Sequence, residues 1–402
     1  MKLNLKINKL FFCSVLALTA ILLSLSSCST SDKDQPNPDP KPQEPDDDGN
    51  PDENDQTLSY LFKPGDNGYS CFRIPAITKT KDGTLLAFAE ARKNGCGDEG
   101  DIDMVVRRST DNGKTWGNMI LIWSDGDNTC GNPSPVVDVV TGRVHLLMSW
   151  NLGTDRLASI NNGTSKDTRR AFYTYSDDDG KTWKDAKEIT SDVKMPAWGW
   201  YATGPGHGIQ LSTGQHKGRL LVPCDYIEVG TGRRGFSHVI YSDDNGENWQ
   251  LGGVSPVHAN NPNESTLAEL STGEVMLNMR NSSHNRLVSI SQDAGMSFSN
   301  INLDYTLIDP GCQASLLSTT VEGKHTLFFS NPSSAERENM TIKMSTTDGK
   351  TWGKRYNVYK GPSAYSDIVL HNQQEISILY EAGKAGPYEG IAYKSIPLKS
   401  FY

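Results

Sequence analysis

The chain has 402 residues and a net charge of −9, with 36% hydrophobic and 22% charged residues, which excludes a fibrous or wholly disordered protein and allows a large buried core. The acidity is uneven: residues 29–56 hold ten Asp or Glu against two Lys, and Lys2, Lys6 and Lys9 offset part of it, leaving −4 from Thr57 onward. A folded part so near neutral does not favour nucleic acid as a partner.

In chain order, the first element is an apolar run from Leu10 to Leu25 behind those three lysines, followed by Ser26, Ser27 and Cys28. It is short for a spanning helix and resembles a bacterial lipoprotein signal: residues 1–27 are removed and Cys28 carries the lipid. The resemblance implies a protein of the bacterial cell envelope, lipid-anchored on the periplasmic side or the outer surface, touching the membrane through that anchor only. Residues 28–56, rich in Pro, Asp and Asn with no apolar periodicity, are expected to form a disordered tether. Residues 57–402 are expected to form one folded domain.

Within that domain a short turn recurs five times, beginning at Ser109, Ser176, Ser242, Ser291 and Ser345, at spacings of about 49 to 67 residues. Three copies read Ser-x-Asp-x-Gly-x-(Thr/Asn)-Trp; the fourth ends on Ser297 and Phe298, and the fifth has Thr347 in place of Asp. Strand-like runs precede each turn, for example Ala171 to Tyr175 and Thr341 to Met344, and others follow, for example Met119 to Trp123, Glu188 to Thr190 and Asn357 to Lys360. Strand, Gly-bearing turn and strand make a hairpin, in which the Ser and Asp bond nearby backbone while Gly supplies positive φ. Further strands are expected at Thr84 to Ala89, Val144 to Trp150, Arg219 to Pro223, Glu274 to Met279 and His325 to Ser330, with no long helix anywhere. The expected fold is all-β, a six-bladed β-propeller of four short strands per blade, its last blade holding Glu375 to Glu381 and closed by a strand from the domain's start.

Once Cys13 and Cys28 are set aside, five cysteines remain: Cys71, Cys96, Cys130, Cys224 and Cys312. No CxxC pair or His cluster accompanies them, which argues against zinc; one or two disulfides are allowed, and the partners stay open.

Phe72-Arg73-Ile74-Pro75, together with the repeated turns, resembles the sialidase (neuraminidase) family over essentially the whole of 57–402. The resemblance implies an exo-α-sialidase, a glycoside hydrolase acting on sialylated glycoproteins, glycolipids and oligosaccharides without metal or organic cofactor. The carboxylate on the anomeric carbon of sialic acid calls for several rigid cations, a task for which arginine's planar fork is suited; the family's three match Arg73, Arg280 and Arg337. A Tyr nucleophile escapes repulsion by that carboxylate, and Tyr365 matches, with Glu264 as its base. The loop from Lys93 to Asp103 follows Arg92, the family's arginine for the sugar ring, and carries the acid: Asp98 is favoured, with Asp101 and Asp103 as rivals. Its acid is expected to rise in pKa when substrate covers it. Glu381 matches a glutamate that orients Arg73. Trp123, Trp150, Trp198 and Trp200 are open to either pocket or core roles. Two other readings are a non-catalytic sialoglycan-binding propeller and a propeller glycosidase acting on neutral glycans, which has no use for three convergent arginines.

Overall fold

Each repeated turn closes on itself in the same way. In the second copy Ser176 Oγ donates to Asp178 Oδ1 (2.8 Å) and accepts from Gly180 N (2.9 Å), while Asp178 accepts from Thr182 N (2.9 Å) and Thr182 Oγ1 (2.6 Å). The residue before the Gly and the Gly itself both have positive φ, as at Asp179 (65°) and Gly180 (74°), the geometry of a tight hairpin turn. In the fifth copy Thr347 Oγ1 takes the place of the carboxylate and accepts from Thr351 N at 3.0 Å.

The computed structural model describes residues 56–231 and 234–402. The expected leader, Cys28 and tether lie outside these residues, apart from Gln56 at the tether's end. The described chain is all-β, with two α-helices of only five and four residues. Strands pair antiparallel in sequence order: Cys71–Lys79, Leu85–Arg92, Ile102–Ser109 and Ile120–Trp123 form one run, and Thr129–Val137, Val144–Asn151, Arg170–Ser176 and Lys187–Glu188 the next. The strand expected to reach Thr190 stops at Glu188, because Thr190–Val193 turns into a short helix. Trp198–Thr203, Leu220–Glu228, Gly235–Ser242 and Gln250–Val254 follow, then Ser265–Glu269, Val275–Met279, Asn285–Ser291 and Asn302–Ile308. Ser315–Val321, Lys324–Pro332 and Glu338–Ser345 lead into the long strand Lys354–Leu370. Its first half pairs with Glu338–Ser345 and its second with Glu375–Ala382, so one strand serves two runs. Glu375–Ala382 pairs with Gly390–Pro397, and Gly390–Pro397 is capped by Tyr60–Phe62 from the start of the described chain.

Many strands carry no polar face. All eight residues of Leu85–Arg92 and of Val144–Asn151 are buried, because each run is covered by the next. Leu86, Phe88 and Val106 pack on Leu146 and Met148 of the following run; Leu221 and Val239 pack on Leu267 and Leu277; Phe328 and Ile342 pack on Ile368 and Ile378. The series returns to its beginning where Val369, Leu379 and Ile391 meet Phe72, Ile77 and Ala87. The turn glycines tighten the same junctions: a Cβ on Gly180 would lie 2.7 Å from Leu86, on Gly246 2.1 Å from His145, and on Gly113 1.9 Å from Tyr393 of the last strand. Each turn is thus a fitted contact with the run before it, at positions where glycine is required by both φ and space.

The register orients the strands. Leu85 pairs with Ser109, the first residue of a turn, and Arg92 at the other end pairs with Ile102. The turns therefore sit at one end of the strands, and the loop after Arg92 at the other.

Candidate active site

At the end away from the turns, Arg73 sits in a strand that bulges between Arg73 and Ala76, where Ile74 takes φ 59°. That conformation is costly for a β-branched residue, of order 1–3 kcal/mol. Glu381 holds it: the carboxylate is fully buried and accepts from Ile74 N (2.9 Å), Arg73 Nε (3.0 Å), Arg73 Nη2 (3.2 Å) and Tyr365 N (3.1 Å). One carboxylate thus fixes an arginine and the backbone of Tyr365 together. Tyr365 lies in a second bulge, between Ser363 and Ser366.

Three guanidiniums surround the Tyr365 side chain. Arg280 Nη1 donates to its hydroxyl at 2.7 Å, and the guanidinium carbons of Arg73 and Arg337 lie 5.3 and 5.6 Å from its ring centre. The hydroxyl donates to Glu264 Oε1 and Oε2 at 2.7 and 2.9 Å, and Glu264 is paired with Arg280 at 2.6 Å. Burial raises the Tyr365 pKa well above the usual phenol range; Arg280 opposes this and Glu264 reinforces it. The hydroxyl therefore rests protonated with an acceptor already in place. Arg337 differs from its two neighbours: its Nη1 donates to Tyr388 Oη (2.6 Å) and its Nη2 to the Gly311 carbonyl (3.1 Å). Among the described residues no carboxylate pairs with it, so the cluster presents an unneutralised cation.

Asp98 stands on the other side of Arg73. Its Oδ1 accepts from Arg73 Nη1 (3.3 Å) and Arg92 Nη1 (2.9 Å), while its side chain is 65% exposed. Partial burial raises its pKa, but Arg92 and Arg73 outweigh that and hold it below the usual carboxylate range. These two cations oppose the elevation expected for the acid under bound substrate. Of the rivals, Asp103 is buried and accepts from Tyr69 Oη at 2.6 Å, a structural duty. Asp101 has a pKa raised by burial and by Asp103 and makes no ion pair with the arginines. Arg92, expected to meet the sugar ring, is 2% exposed; its Nε and Nη2 go to Glu90, and its Nη1 to Asp98 and the carbonyls of Cys96 (2.6 Å) and Gly97 (2.7 Å). In this arrangement the guanidinium organises the Asp98 loop.

The structure brings together Arg73, Arg280, Arg337, Tyr365, Glu264, Glu381, Asp98 and Arg92. It adds groups that no motif singled out. Tyr388 lies under Arg73 (4.2 Å) and bonds Arg337. Glu90 holds Arg92 and accepts from Asn132 N at 2.8 Å. Arg169, stacked on Trp200 at 3.7 Å and bonded to Asn132, is pushed down to about 10 by burial, and its Nε and Nη1 have no partner among the described residues. Asp225 is fully buried, its pKa raised by burial and by Glu264, with Oδ1 unpartnered among the described residues. A lone buried Asp or Arg carries no spacing signal in sequence, so none of these was findable there. Of the four tryptophans, Trp198 stacks on Tyr226 in the core (3.6 Å), and Trp123 and Trp150 pack around Phe172; only Trp200 borders this polar floor.

A model of the BNR repeat-like domain matches residues 83–378. The chain is 34% identical over 344 residues to a sialidase of Bacteroides fragilis, covering 80% of this chain and 62% of that protein. It is 32% identical to a sialidase of Paraclostridium sordellii, covering 82% and 86%. Among solved structures, the Hadza microbial sialidase Hz136 superposes with a TM-score of 0.77 at 29% identity, over 86% of this chain and 69% of that one. The fold is shared as well with the intramolecular trans-sialidase of Ruminococcus gnavus, at a TM-score of 0.72 and 21% identity over 86% and 98% of the two chains. An all-β chain with this site and these relatives belongs to the sialidase family. It spans 62% of the B. fragilis protein and 52% of a Micromonospora viridifaciens sialidase, to which it is 32% identical over 83% of its own length.

Proposed function

We propose that this protein is a retaining exo-α-sialidase, built as a six-bladed β-propeller, that removes terminal sialic acid from glycoproteins, glycolipids and oligosaccharides. The observation that carries the reading is Tyr365: a protonated phenol hydrogen-bonded to Glu264 and ringed by Arg73, Arg280 and Arg337. The blade count is supported by the consecutive antiparallel runs, the shared strand Lys354–Leu370 and the closure by Tyr60–Phe62. The lipid anchor on Cys28 and the cell-envelope location belong to the same proposal and rest on the leader sequence alone.

In the reaction, the substrate carboxylate binds the three arginines, with Arg337 supplying the unneutralised charge. That carboxylate also screens Arg73, removing one of the two cations that keep Asp98 acidic, so its pKa rises toward the pH at which it can act as an acid. Tyr365 oxygen attacks the anomeric carbon and passes its proton to Glu264 as Asp98 protonates the departing oxygen. The bond to the leaving group breaks and a bond to Tyr365 forms. Water then attacks from the Asp98 side, giving its proton to Asp98; the bond to Tyr365 breaks and Glu264 returns the proton to the phenolate. Two inversions give retention. A Tyr whose pKa is raised cannot supply a resting phenolate, so the base must act during attack.

The test is incubation with sialyllactose while proton NMR follows the anomer first released and mass spectrometry identifies the sugar. The reading requires free sialic acid appearing first as its α anomer. No release, or β anomer first, sinks it.

A further inference from the structure

The loop that carries Asp98 has little to hold it. Between Lys93 and Asp101 the chain forms neither strand nor helix, and Gly95 and Gly100 take φ 112° and 108°. Its neck is closed by Lys93 N donating to the Asp101 carbonyl (3.0 Å), and Ser70 Oγ donates to the Lys93 carbonyl. Inside the neck, Arg92 gathers the Cys96 and Gly97 carbonyls and Asp98 itself. One covalent tie remains: Cys96 is joined to Cys71. Cys71 is fully buried and lies two residues before Arg73, on the strand that presents the carboxylate-facing guanidinium; Cys96 is exposed and lies two residues before Asp98. The other cysteines among the described residues, Cys130, Cys224 and Cys312, are free and buried.

We infer that the Cys71–Cys96 disulfide is a positioning element for the general acid, tying the Asp98 loop to the strand of Arg73 so that acid and carboxylate receptor keep one spacing. A short irregular loop samples many conformations when cut loose, and closure by a covalent link removes most of them. Loss of the link therefore acts on the acid step first. Tyr365, Glu264 and Arg280 are placed by other strands and by Glu381, and they stay in position.

The inference rests on the sialidase reading, and leaving-group dependence separates the two. From an aryl sialoside para-nitrophenolate departs with little need of a proton, whereas from sialyllactose the lactose departs as a basic alkoxide unless its oxygen is protonated. With the full chain, Cys96→Ser and the protein treated with dithiothreitol should lose roughly tenfold or more of kcat/KM, which reports departure of the leaving group and not the later attack of water, on sialyllactose and less than about threefold on the aryl sialoside, within the range a general acid supplies. The reductant transfers two electrons to the disulfide, giving two thiols and an oxidised dithiol; iodoacetamide labelling under native conditions counts the thiols exposed. Asp98→Asn should show the same selective loss, and adding Cys96→Ser to it should cost little more. Reduction of folded protein covers the case in which the serine variant does not fold. Equal loss on both substrates, or none on either, overturns the positioning role. An untreated protein that turns over neither substrate overturns the sialidase reading and this inference with it.

Discussion

The two ends of the strands are built on opposite principles. At the turn end, hydrogen bonds close within four residues, as from Ser176 to Gly180 and Asp178 to Thr182, and each copy repeats the last. At the site end, partners lie far apart in sequence: Arg73 and Glu381 by 308 residues, Tyr365 and Glu264 by 101, Arg280 and Tyr365 by 85. The turn end fits one run to the next, whereas the site end converges several runs on Tyr365. Stability and function should therefore be separable by position along the strands.

The largest expected effect is at the site end. Tyr365→Phe removes the oxygen proposed to attack, and kcat on a sialoside should fall about a thousandfold or more, roughly 4 kcal/mol of transition-state stabilisation. Its thermal midpoint should stay within about 2 °C of the parent, since ring and packing are kept. Retained turnover would remove Tyr365 from the chemistry; a large fall in midpoint would show that the two ends are not separable.

The converse substitution is Gly246→Ala. Gly246 has φ 81°, and a Cβ there would lie 2.1 Å from the His145 ring, so the variant combines backbone strain with overpacking and should lose about 3 kcal/mol of stability. Gly323→Ala separates the terms: φ is 76° but nothing lies within 4 Å of the added carbon, and about 1 kcal/mol is expected. Denaturant melts measure both. Below the melting range, folded Gly246→Ala protein should keep parental kcat, and a matching loss of turnover would break the comparison.

This division also explains what was legible before the structure. The turns were, because their chemistry is complete within eight residues and survives changes such as Thr347 and Phe298. The closing strand was anticipated in kind, and Tyr60–Phe62 on Gly390–Pro397 supplies it. Of the site, only residues with a family match could be named. Glu90, Asn132, Arg169, Asp225 and Tyr388 were silent because their roles come from burial and from neighbours contributed by other runs. The Cys71–Cys96 pairing was silent for a related reason: an odd set of five cysteines permits many pairings, and only the register of Cys71 with Arg92 brings the loop to it.

Acid should weaken the frame through buried imidazoles before it reaches the turns. Burial pushes His145 down to about 4, with the Arg143 charge adding to the effect, and burial pushes His238 down to about 3. A base whose folded pKa lies below its unfolded value of about 6.5 contributes stability above that pH and loses it as pH falls toward the folded value. Two such groups give about 2 kcal/mol per pH unit between pH 6 and 5. Asp178 loses its contribution in the same direction but in a lower window: burial raises its pKa, hydrogen bonds from Thr182 and Ser176 outweigh that and hold it at about 2, so its contribution is full above the unfolded carboxylate value of about 3.9 and fades only as pH drops toward 2. His145→Gln, whose amide can still meet Tyr173 Oη (2.8 Å from His145 Nδ1), should flatten the slope by about half. An unchanged slope would place the acid sensitivity elsewhere.

The smallest effect is the sharpest test of the turn end. Thr347→Asp restores the residue the fifth copy lacks, and a carboxylate there can accept from both Thr351 N and Thr351 Oγ1, as Asp178 does from Thr182. Charge-assisted hydrogen bonds exceed neutral ones, so a gain of about 0.5–1 kcal/mol is expected, seen as a rise of about 1–2 °C in thermal midpoint. The neighbouring Asp348 subtracts from it by like-charge repulsion, although that carboxylate is already engaged by Ser271 N (3.0 Å) and the Ser271 hydroxyl. Raising salt screens the repulsion more than the short hydrogen bonds, so the gain should grow with ionic strength. A gain that vanishes in salt would mean that the restored carboxylate works through distant charge, and the equivalence of the five turns would fail at its weakest member.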